Sequence, residues 1–316
     1  MKANSEIRNP ALVIGYLRLE RIERILEHLA RLDFGQVFLA LDCAKNERDK
    51  NRQLKFLEEA IHKFDSINLR IWHRKENLGV ALGVLTAIEW FFKNVNQGVI
   101  IEDDLIFEKD FIEFTKLCFD EYFTESTVLM VSGTNGTKIG TQFPVFVRYP
   151  QIWGWATNKE KWREILSLIL REKKFKPSLF VSPSKAFFWA GARRASDGTV
   201  DTWDLPLAYE MKSCGKLCVI PGANLVKNVG NDQFASHGTK DGFTLNQQIE
   251  NWHPDDNYRT KVGYSSRHEK ALERVVFNVH WYHIFSPIKY FLLFWKGRNT
   301  SVESLKKRFE SVEIPQ

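Results

Sequence analysis

The sequence predicts an α/β protein with a mostly parallel β-sheet that is covered by helices on both faces. Apolar runs alternate with helical repeats through the first third of the chain. These runs are continuous rather than alternating, which is typical of strands that are buried on both faces. Carboxylates directly follow two of the runs, and the ligands of parallel sheets bind at such strand ends.

The elements follow in order along the chain. A strand over residues 11–16 precedes a helix whose apolar residues recur at helical spacing, namely Ile22, Ile25, Leu26, Leu29 and Leu32. A second strand, 37–41, ends at Asp42 and leads into a charged helix with an apolar stripe of Leu54, Leu57, Ile61 and Phe64. The third strand is predicted over 67–72, and an apolar helix after Asn77 reaches Phe92. The fourth strand ends at Glu102.

The most distinctive motif is the carboxylate triplet Glu102-Asp103-Asp104 at the end of this fourth strand. Neighbouring side chains on a strand point to opposite faces, so the triplet can direct one or two carboxylates toward a ligand. Like charges this close repel each other, and a divalent cation bound to a phosphorylated substrate is the simplest counterion. The alternative is a solvated acidic turn after a strand.

Composition limits the class of protein. The 316 residues are 44% hydrophobic and contain no low-complexity tract or repeat, so we expect one large core or two smaller ones. A net charge of +6 indicates anionic partners without choosing among nucleotides, lipid head groups, acidic glycans and nucleic acid. The loop after the first strand contains only Gly15, which argues against dinucleotide-binding and P-loop enzymes.

The cysteines and the absence of long apolar segments indicate the cellular compartment of the protein. The four cysteines lack the spacing of a metal site and are interpreted as reduced packing residues: Cys43, Cys118, Cys214 and Cys218. The N-terminus shows no signal-peptide core, and no segment offers about 20 uninterrupted apolar residues. We therefore expect a cytoplasmic protein that is neither secreted nor integral to a membrane.

Five segments in the same order resemble a known family. They are Val13-Ile-Gly-Tyr-Leu-Arg18, Leu41-Asp-Cys43, the carboxylate triplet, Trp153-Gly-Trp155 and Asp201-Thr-Trp-Asp204. Together they resemble the GT-A glycosyltransferases related to N-acetylglucosaminyltransferase I, above all the bacterial, stem-less members of the glycosyltransferase family 2 type. The resemblance extends from about residue 11 to about residue 240. It implies the GT-A fold, a Rossmann-like nucleotide-diphospho-sugar transferase fold.

The resemblance also implies a donor site. Asp104 is expected to coordinate Mn²⁺ or Mg²⁺ that bridges the diphosphate of a nucleotide-sugar, and oxygen ligands suit such a cation. Asp42 is expected to bind the uracil edge and Arg18 the phosphates. The ribose and sugar hydroxyls would be held by Glu102 and Asp103, and Asn77 belongs to the same site. Without the resemblance, Arg18 would be interpreted as a solvated side chain.

The acceptor side rests on the aspartates of the fifth segment. Asp201 is the expected general base of an inverting displacement and Asp204 its support, because such a step needs a carboxylate beside the acceptor hydroxyl. Eukaryotic relatives have two adjacent aspartates before the tryptophan, so the choice between Asp201 and Asp204 stays open. The alternative is that these residues cap the helix predicted over 205–212.

Aromatic residues and one histidine complete the expected site. Trp153, Trp155 and Trp203 are candidates for stacking on sugar rings, and the alternative for each is a place in the core. The polar segment 224–238 follows a strand predicted over 217–220 and is suited to close over a bound nucleotide. His237 in that segment is a candidate contact of the diphosphate or the metal, and the alternative is a surface histidine.

The chain changes character near its end. We expect a catalytic domain over 1–266, with a nucleotide-sugar half at about 10–135 and an acceptor half at about 136–266, followed by a helical segment over 267–316. Residues 275–298 combine aromatic, apolar and basic side chains. This composition suits a segment that enters the head groups of an anionic membrane, and the alternative is a helix that packs on the catalytic domain.

The sequence and the resemblance together predict a metal-dependent, inverting glycosyltransferase of the hexosyl- or N-acetylhexosaminyl type. It would move a sugar from a UDP-sugar to a hydroxyl of a surface glycan or lipid-linked acceptor, as in lipopolysaccharide or polysaccharide biosynthesis, and would not bind nucleic acid. One alternative is a sugar-phosphate nucleotidyltransferase, which should carry a glycine-rich basic loop where this chain has Gly15-Tyr-Leu-Arg18. The other is a nucleotide-sugar-binding scaffold at the membrane.

Overall fold

The computed structural model describes residues 10–174, 178, 180, 182–230, 248–252, 260–295 and 304–316. The strands are β1 (Ala11–Gly15), β2 (Val37–Leu41), β3 (Leu69–His73), β4 (Gln97–Glu102), β5 (Leu105–Phe107), β6 (Val128–Ser132), β7 (Val145–Val147), β8 (Trp155–Asn158), β9 (Leu217–Ile220) and β10 (Val226–Asn228). The helices are α1 (Leu19–Arg31), α2 (Glu47–Lys63), α3 (Gly79–Asn94), α4 (Lys109–Tyr122), α5 (Lys159–Leu170), α6 (Pro183–Ser196), α7 (Asp204–Cys214), α8 (Ser266–Val275), α9 (Ser286–Trp295) and α10 (Leu305–Glu310). Short 3₁₀ helices span Asp65–Ile67 and Trp281–Phe285.

Eight strands form one mixed sheet in the order β3-β2-β1-β4-β8-β6-β9-β7. The first four in this order are mutually parallel, β8 is antiparallel to both of its neighbours, and β7 is antiparallel to β9. Six strands therefore point the same way, and the mostly parallel α/β sheet expected from the sequence is confirmed. A separate two-stranded ribbon pairs β10 with β5.

The sheet separates two hydrophobic cores, as alternation along β1 shows. Leu12 and Ile14 join the core that includes α3, α5, α6 and α7, whereas Ala11 and Val13 join the core that includes α1, α2 and α4. Side chains that alternate between two apolar layers require a strand that is apolar throughout. The continuous apolar runs of the sequence are explained by this burial.

One predicted stripe differs from the structure. On α2 the buried residues are Gln53, Leu57 and Ala60, and the cap residue Phe64 is also buried. The prediction that Leu54 and Ile61 belong to the packed face is wrong, because they are 43% and 57% exposed. The apolar pattern was misleading because the polar Gln53 occupies a core position on this helix.

The described parts of the segment after residue 266 are largely helical and pack on the rest of the protein. Arg148 pairs with Glu269 of α8 at 2.6 Å, and Lys212 of α7 pairs with Glu273 at 2.8 Å. At the far end, Leu305 of α10 is 3% exposed in the core that contains α3. Within the described part of the chain, no helix has the length and apolar character that crossing a bilayer requires.

Candidate active site

A cleft of about 690 Å³ opens at the carboxyl ends of the parallel strands. The chain passes from β1 to β2 to β3 in one direction, and β4 lies on the other side of β1. Ligands of α/β sheets bind at such a reversal of strand order. The cleft brings together ten of the twelve residues singled out in the sequence, which are Arg18, Asp42, Asn77, Glu102, Asp103, Asp104, Trp153, Asp201, Trp203 and Asp204.

Asp42 lies at the end of β2, next to the N-terminus of α3. Its carboxylate accepts hydrogen bonds from the backbone amides of Leu78 at 3.0 Å and Gly79 at 3.2 Å. Burial raises the pKa of Asp42, and these amides partly offset that effect. Asn77, in the same loop, donates to the carbonyl oxygen of Cys43 at 2.8 Å. The loop before α3 is thus tied to the end of β2.

Arg74 lies beside Asp42 and was not singled out in the sequence. It follows β3 directly, lines the cleft and is only 3% exposed. Its Nη2 donates to the carbonyl oxygen of Gly83 at 2.6 Å, and its guanidinium stacks over Trp72 at 4.5 Å. Burial lowers the pKa of Arg74 to about 10, with the charge of Asp42 opposing the shift.

Two donors of Arg74 are buried without a protein partner. Its Nε and Nη1 are buried and meet no hydrogen-bond partner among the described residues. Leaving buried donors unpaired costs about 1–3 kcal/mol, so such groups are usually satisfied by a ligand or water. The signal in the sequence was the position of Arg74 at a strand end, on the same sheet edge as Asp42.

Asp103 holds the acidic triplet in place. One carboxylate oxygen accepts from the amide of Tyr16 at 3.0 Å, and the other accepts from Arg18 at 2.7 Å. Arg18 also donates to the carbonyl oxygen of Gly230 at 3.1 Å and lies 3.8 Å from Asp104. Asp103 thereby joins the loop after β1 to the end of β4.

Glu102 and Asp104 lie on either side of this anchor and repel each other. Burial, followed by the charges of Asp104, Asp103 and Asp204, raises the pKa of Glu102 well above its ordinary range. Burial and the charge of Asp103 raise the pKa of Asp104 to about 6, while Arg18 opposes the shift. Burial and mutual repulsion thus disfavour the ionised forms of Glu102 and Asp104.

The donor set fits a hard divalent cation. Asp104 lines the cleft, and its carboxylate receives a hydrogen bond from the side chain of Asn228. A methyl group at Gly230 would collide with the carboxylate of Asp104, so the backbone of this loop closely approaches the expected ligand. Within the described ranges, no three carboxylate, imidazole or thiolate groups form a ready metal cage. One carboxylate plus the phosphate oxygens of a substrate is a common arrangement for Mg²⁺.

The two aspartates of the fifth segment differ in their contacts. Both oxygens of Asp201 accept backbone amides at the start of α3, from Val80 at 2.8 Å and Ala81 at 3.0 Å. Asp204 begins α7, accepts a hydrogen bond from the Thr202 hydroxyl and lies close enough to Glu102 to raise its pKa. Asp201 therefore caps a helix, although it is α3 rather than the helix 205–212 considered from the sequence.

The three tryptophans are placed differently. Trp155 is 1% exposed and stacks on Trp203 in the core with ring centroids 5.8 Å apart. Trp203 is also buried but contributes to the wall of the cleft, and Trp153 is half-buried at the same wall. Trp153 and Trp203 are thus placed where a sugar could contact them.

Gln53 of α2 joins three strand ends behind the cleft. Its amide nitrogen donates to the carbonyl oxygens of Tyr16 and Asp42, both at 2.8 Å. Its oxygen accepts the amide of Ala44 at 2.9 Å and lies 3.3 Å from His73. A lone glutamine in a charged helix carries no recognisable signal, so sequence reasoning missed this residue.

The remaining expected loop is described only in part. Residues 224–230 include β10, and Asn228 and Gly230 border the cleft. His237 lies outside the described residues, so its expected contact with the diphosphate or the metal stays a prediction.

Comparison with known proteins gives similarity in structure only. No protein-family profile and no curated protein sequence matches the chain. GalNAc-T7 solved with UDP, GalNAc and Mn²⁺ is 11% identical, with a TM-score of 0.46 over 96% of this chain and 57% of that chain. A mannosyltransferase from Pyrobaculum calidifontis, solved with GDP-Man and Mn²⁺, is 12% identical, with a TM-score of 0.37 over 65% of this chain and 68% of that one.

A UDP-glucose pyrophosphorylase solved with UDP-glucose is 9% identical, with a TM-score of 0.37 over 68% of this chain and 90% of that one. Both sugar-transferring and nucleotidyl-transferring enzymes are thus among the similar structures. Likenesses at this level do not choose between the two reactions, so the function has to be argued from the cleft itself.

Proposed function

We propose that this protein is a metal-dependent GT-A glycosyltransferase that moves a sugar from a UDP-sugar to a hydroxyl of a surface glycan or lipid-linked acceptor, with inversion. One observation carries the proposal. A single cleft combines the Asp42–Arg74 pair at the end of β2 and β3, a carboxylate suited to a cation at Asp104, and a further carboxylate at Asp204. A nucleotide, its diphosphate and a reacting hydroxyl need these three kinds of group.

The Asp42–Arg74 pair suits the edge of uracil. That edge presents one N–H group between two carbonyl oxygens, so it needs an acceptor flanked by donors. In this proposal the Asp42 carboxylate accepts the N–H, and a shift of the Arg74 side chain on binding would bring its buried Nε or Nη1 to a carbonyl oxygen. Cytosine presents a ring acceptor at the same position, which would face the carboxylate oxygens of Asp42 unfavourably. The pair therefore favours UDP over CDP.

Asp104 and Arg18 support the departure of the nucleoside diphosphate. A divalent cation, when bound, neutralises the negative charge that develops on the diphosphate. Asp104 would hold that cation, and Asn228 and Gly230 fix the position of its carboxylate. Arg18, held by Asp103 at 2.7 Å, adds a positive charge beside the same site.

Asp204 is the proposed general base. The acceptor oxygen forms a bond to the anomeric carbon while the bond from that carbon to the phosphate oxygen breaks, and its electron pair leaves with the diphosphate. The hydroxyl proton passes to the Asp204 carboxylate. Asp204 is preferred over Asp201 because it lies near Glu102 in the cleft, whereas the amides of Val80 and Ala81 hold Asp201 at the start of α3. In this proposal Asp201 positions α3.

The nucleotidyltransferase alternative is less well supported by the loop after β1. That reaction needs basic residues around a triphosphate, and Arg18 is the only Lys or Arg in the stretch from Gly15 to Leu19.

Calorimetric titration of nucleotides tests the proposal. UDP should bind in the presence of Mn²⁺ and at least about tenfold more weakly with a chelator, and CDP and GDP should bind more weakly than UDP. Asp104→Ala should abolish the effect of Mn²⁺. Asp120→Ala, an exposed residue, is the matched control. Failure of every nucleotide to bind, or an unchanged Mn²⁺ effect in Asp104→Ala, would contradict the proposal, and formation of UTP from a UDP-sugar and pyrophosphate would favour the alternative.

A further inference from the structure

The end of the chain exposes an unusual concentration of large apolar side chains. Of the fourteen that are exposed in the described residues, eight lie between Val275 and Leu293. The C-terminal aromatic surface, as we name it, comprises Trp281, Tyr282, Phe285, Ile288, Phe291 and Leu292, which are between 44% and 73% exposed. Contiguous exposed apolar patches of this kind mark sites of interaction with proteins or membranes.

Helix α9 is apolar apart from Ser286 and Lys289, and among the described residues it packs against α6 and the 3₁₀ helix Trp281–Phe285. Tyr290 is 6% exposed and packs edge-on against Trp189 of α6, with ring centroids 5.5 Å apart. Phe285, Ile288 and Leu292 follow one another at spacings of three and four residues, and they are 51%, 44% and 53% exposed. A helix with so many apolar residues is normally covered by a protein core or by lipid.

The charges in this part of the sequence favour a membrane with anionic lipids. The sequence from Val275 to Arg298 contains Lys289, Lys296 and Arg298 and no acidic residue. Lys289 is exposed and lies between Ile288 and Leu292. The centre of a protein interface is depleted in lysine, whereas at a lipid surface a lysine can extend its amine to the phosphates while its stem stays among apolar groups. Exposed Trp and Tyr side chains also suit the head-group region.

We propose that the C-terminal aromatic surface docks the protein onto a membrane that carries anionic phospholipids. Ten residues of α-helix are about 15 Å long, half the thickness of the hydrocarbon core, so α9 is suited to lie along the bilayer surface. The ion pairs between Arg148 and Glu269 and between Lys212 and Glu273 hold the preceding helix α8 on the catalytic part. Docking would therefore orient the whole cleft relative to the membrane.

The position of the surface connects it with the acceptor. Helix α6 packs against both α9 and α7, and α7 begins at Asp204. The proposed base Asp204 thus lies at the start of α7, and α6 lies between α7 and the helix α9 that carries the docking surface. The consequence that the acceptor is anchored in the same membrane rests on the proposed function, but binding to lipid does not.

Sedimentation with lipid vesicles tests the docking surface in the full chain. The protein should sediment with vesicles of phosphatidylcholine and phosphatidylglycerol at low ionic strength, and much less with phosphatidylcholine alone. Trp281→Ser combined with Leu292→Ser should weaken binding at least about tenfold. Leu54→Ser combined with Ile61→Ser, which removes two exposed apolar residues of α2, is the matched control and should bind like the natural sequence.

Two further measurements separate the outcomes. UDP binding by calorimetry should be the same in both double variants, which shows that they are folded and reports the proposed donor site independently of lipid. Lack of binding to anionic vesicles, or equal binding by both double variants, would overturn the docking proposal. A dimer in analytical ultracentrifugation that Trp281→Ser with Leu292→Ser converts to a monomer, without vesicle binding, would assign the surface to a second copy of the chain instead.

Discussion

At the scale of single residues, Asp201 and Asp204 belong to one motif but make different contacts. Asp201 is occupied by the amides of Val80 and Ala81, while Asp204 lies near Glu102 in the cleft. The resemblance favoured Asp201 as the base and left the choice between it and Asp204 open. The tertiary contacts place Asp201 at a helix start that is 120 positions away from it in the chain.

Paired substitutions separate the two roles. Asp204→Asn should lower the rate of UDP release from the UDP-sugar by about 10²–10⁴-fold, because the amide cannot take the acceptor proton. Asp201→Asn retains an oxygen that can accept an amide, so its effect on the rate should stay below about tenfold, with a loss of stability of about 1 kcal/mol. UDP binding measured by calorimetry should be kept in both variants. The reverse ranking of rates would place the base at Asp201.

At the scale of elements, the sequence was sufficient to predict the first four strands and the edge of the sheet at which the cleft lies. Continuous apolar runs and carboxylates at their ends depend only on local sequence and on the rules of parallel sheets. The place of Arg74 at a strand end was visible in the sequence, but its burial beside Asp42 was not, because a single arginine after a strand resembles a solvated one. Asn228 and Gly230 reach Asp104 only through the pairing of β10 with β5.

Gln53 of helix α2 allows a test of how a helix supports the strand ends behind the cleft. Gln53→Met would keep the size of this side chain but leave the carbonyl oxygens of Tyr16 and Asp42 and the amide of Ala44 without their partner. We expect a loss of about 2–4 kcal/mol in the free energy of unfolding, since buried polar groups would be unpaired. UDP binding should weaken as well, because the ends of β1 and β2 lose their link.

The control for this change lies on the same helix. Lys55 has a side chain that is 79% exposed, and Lys55→Met should change stability by less than about 0.5 kcal/mol. Urea unfolding gives both values. Equal stability of Gln53→Met and Lys55→Met would show that Gln53 does not hold the strand ends.

At the scale of the whole molecule, the acidic cluster makes stability depend on pH and on a cation. The pKa of Asp104 is raised from 3.8 to about 6 in the folded protein, so between these pH values the unfolded chain loses this proton while the folded protein keeps it. Folding is therefore disfavoured progressively as the pH rises through this window, and the cost stays constant above it. A bound cation would reverse this cost.

Replacing Asp104 tests this balance over the entire fold. With a chelator present, Asp104→Asn should be more stable than the natural sequence by about 1–3 kcal/mol at pH 7 and nearly equal to it at pH 4, because the amide removes only the buried charge. Urea unfolding at the two pH values measures the difference. Asp120→Asn, an exposed change, should show neither effect.

Mn²⁺ should raise the stability of the natural sequence and not that of Asp104→Asn, since only a cation bound to the folded state shifts unfolding. Lower stability of Asp104→Asn at pH 7 in chelator would mean that Asp104 supports the fold and is not held there for a cation.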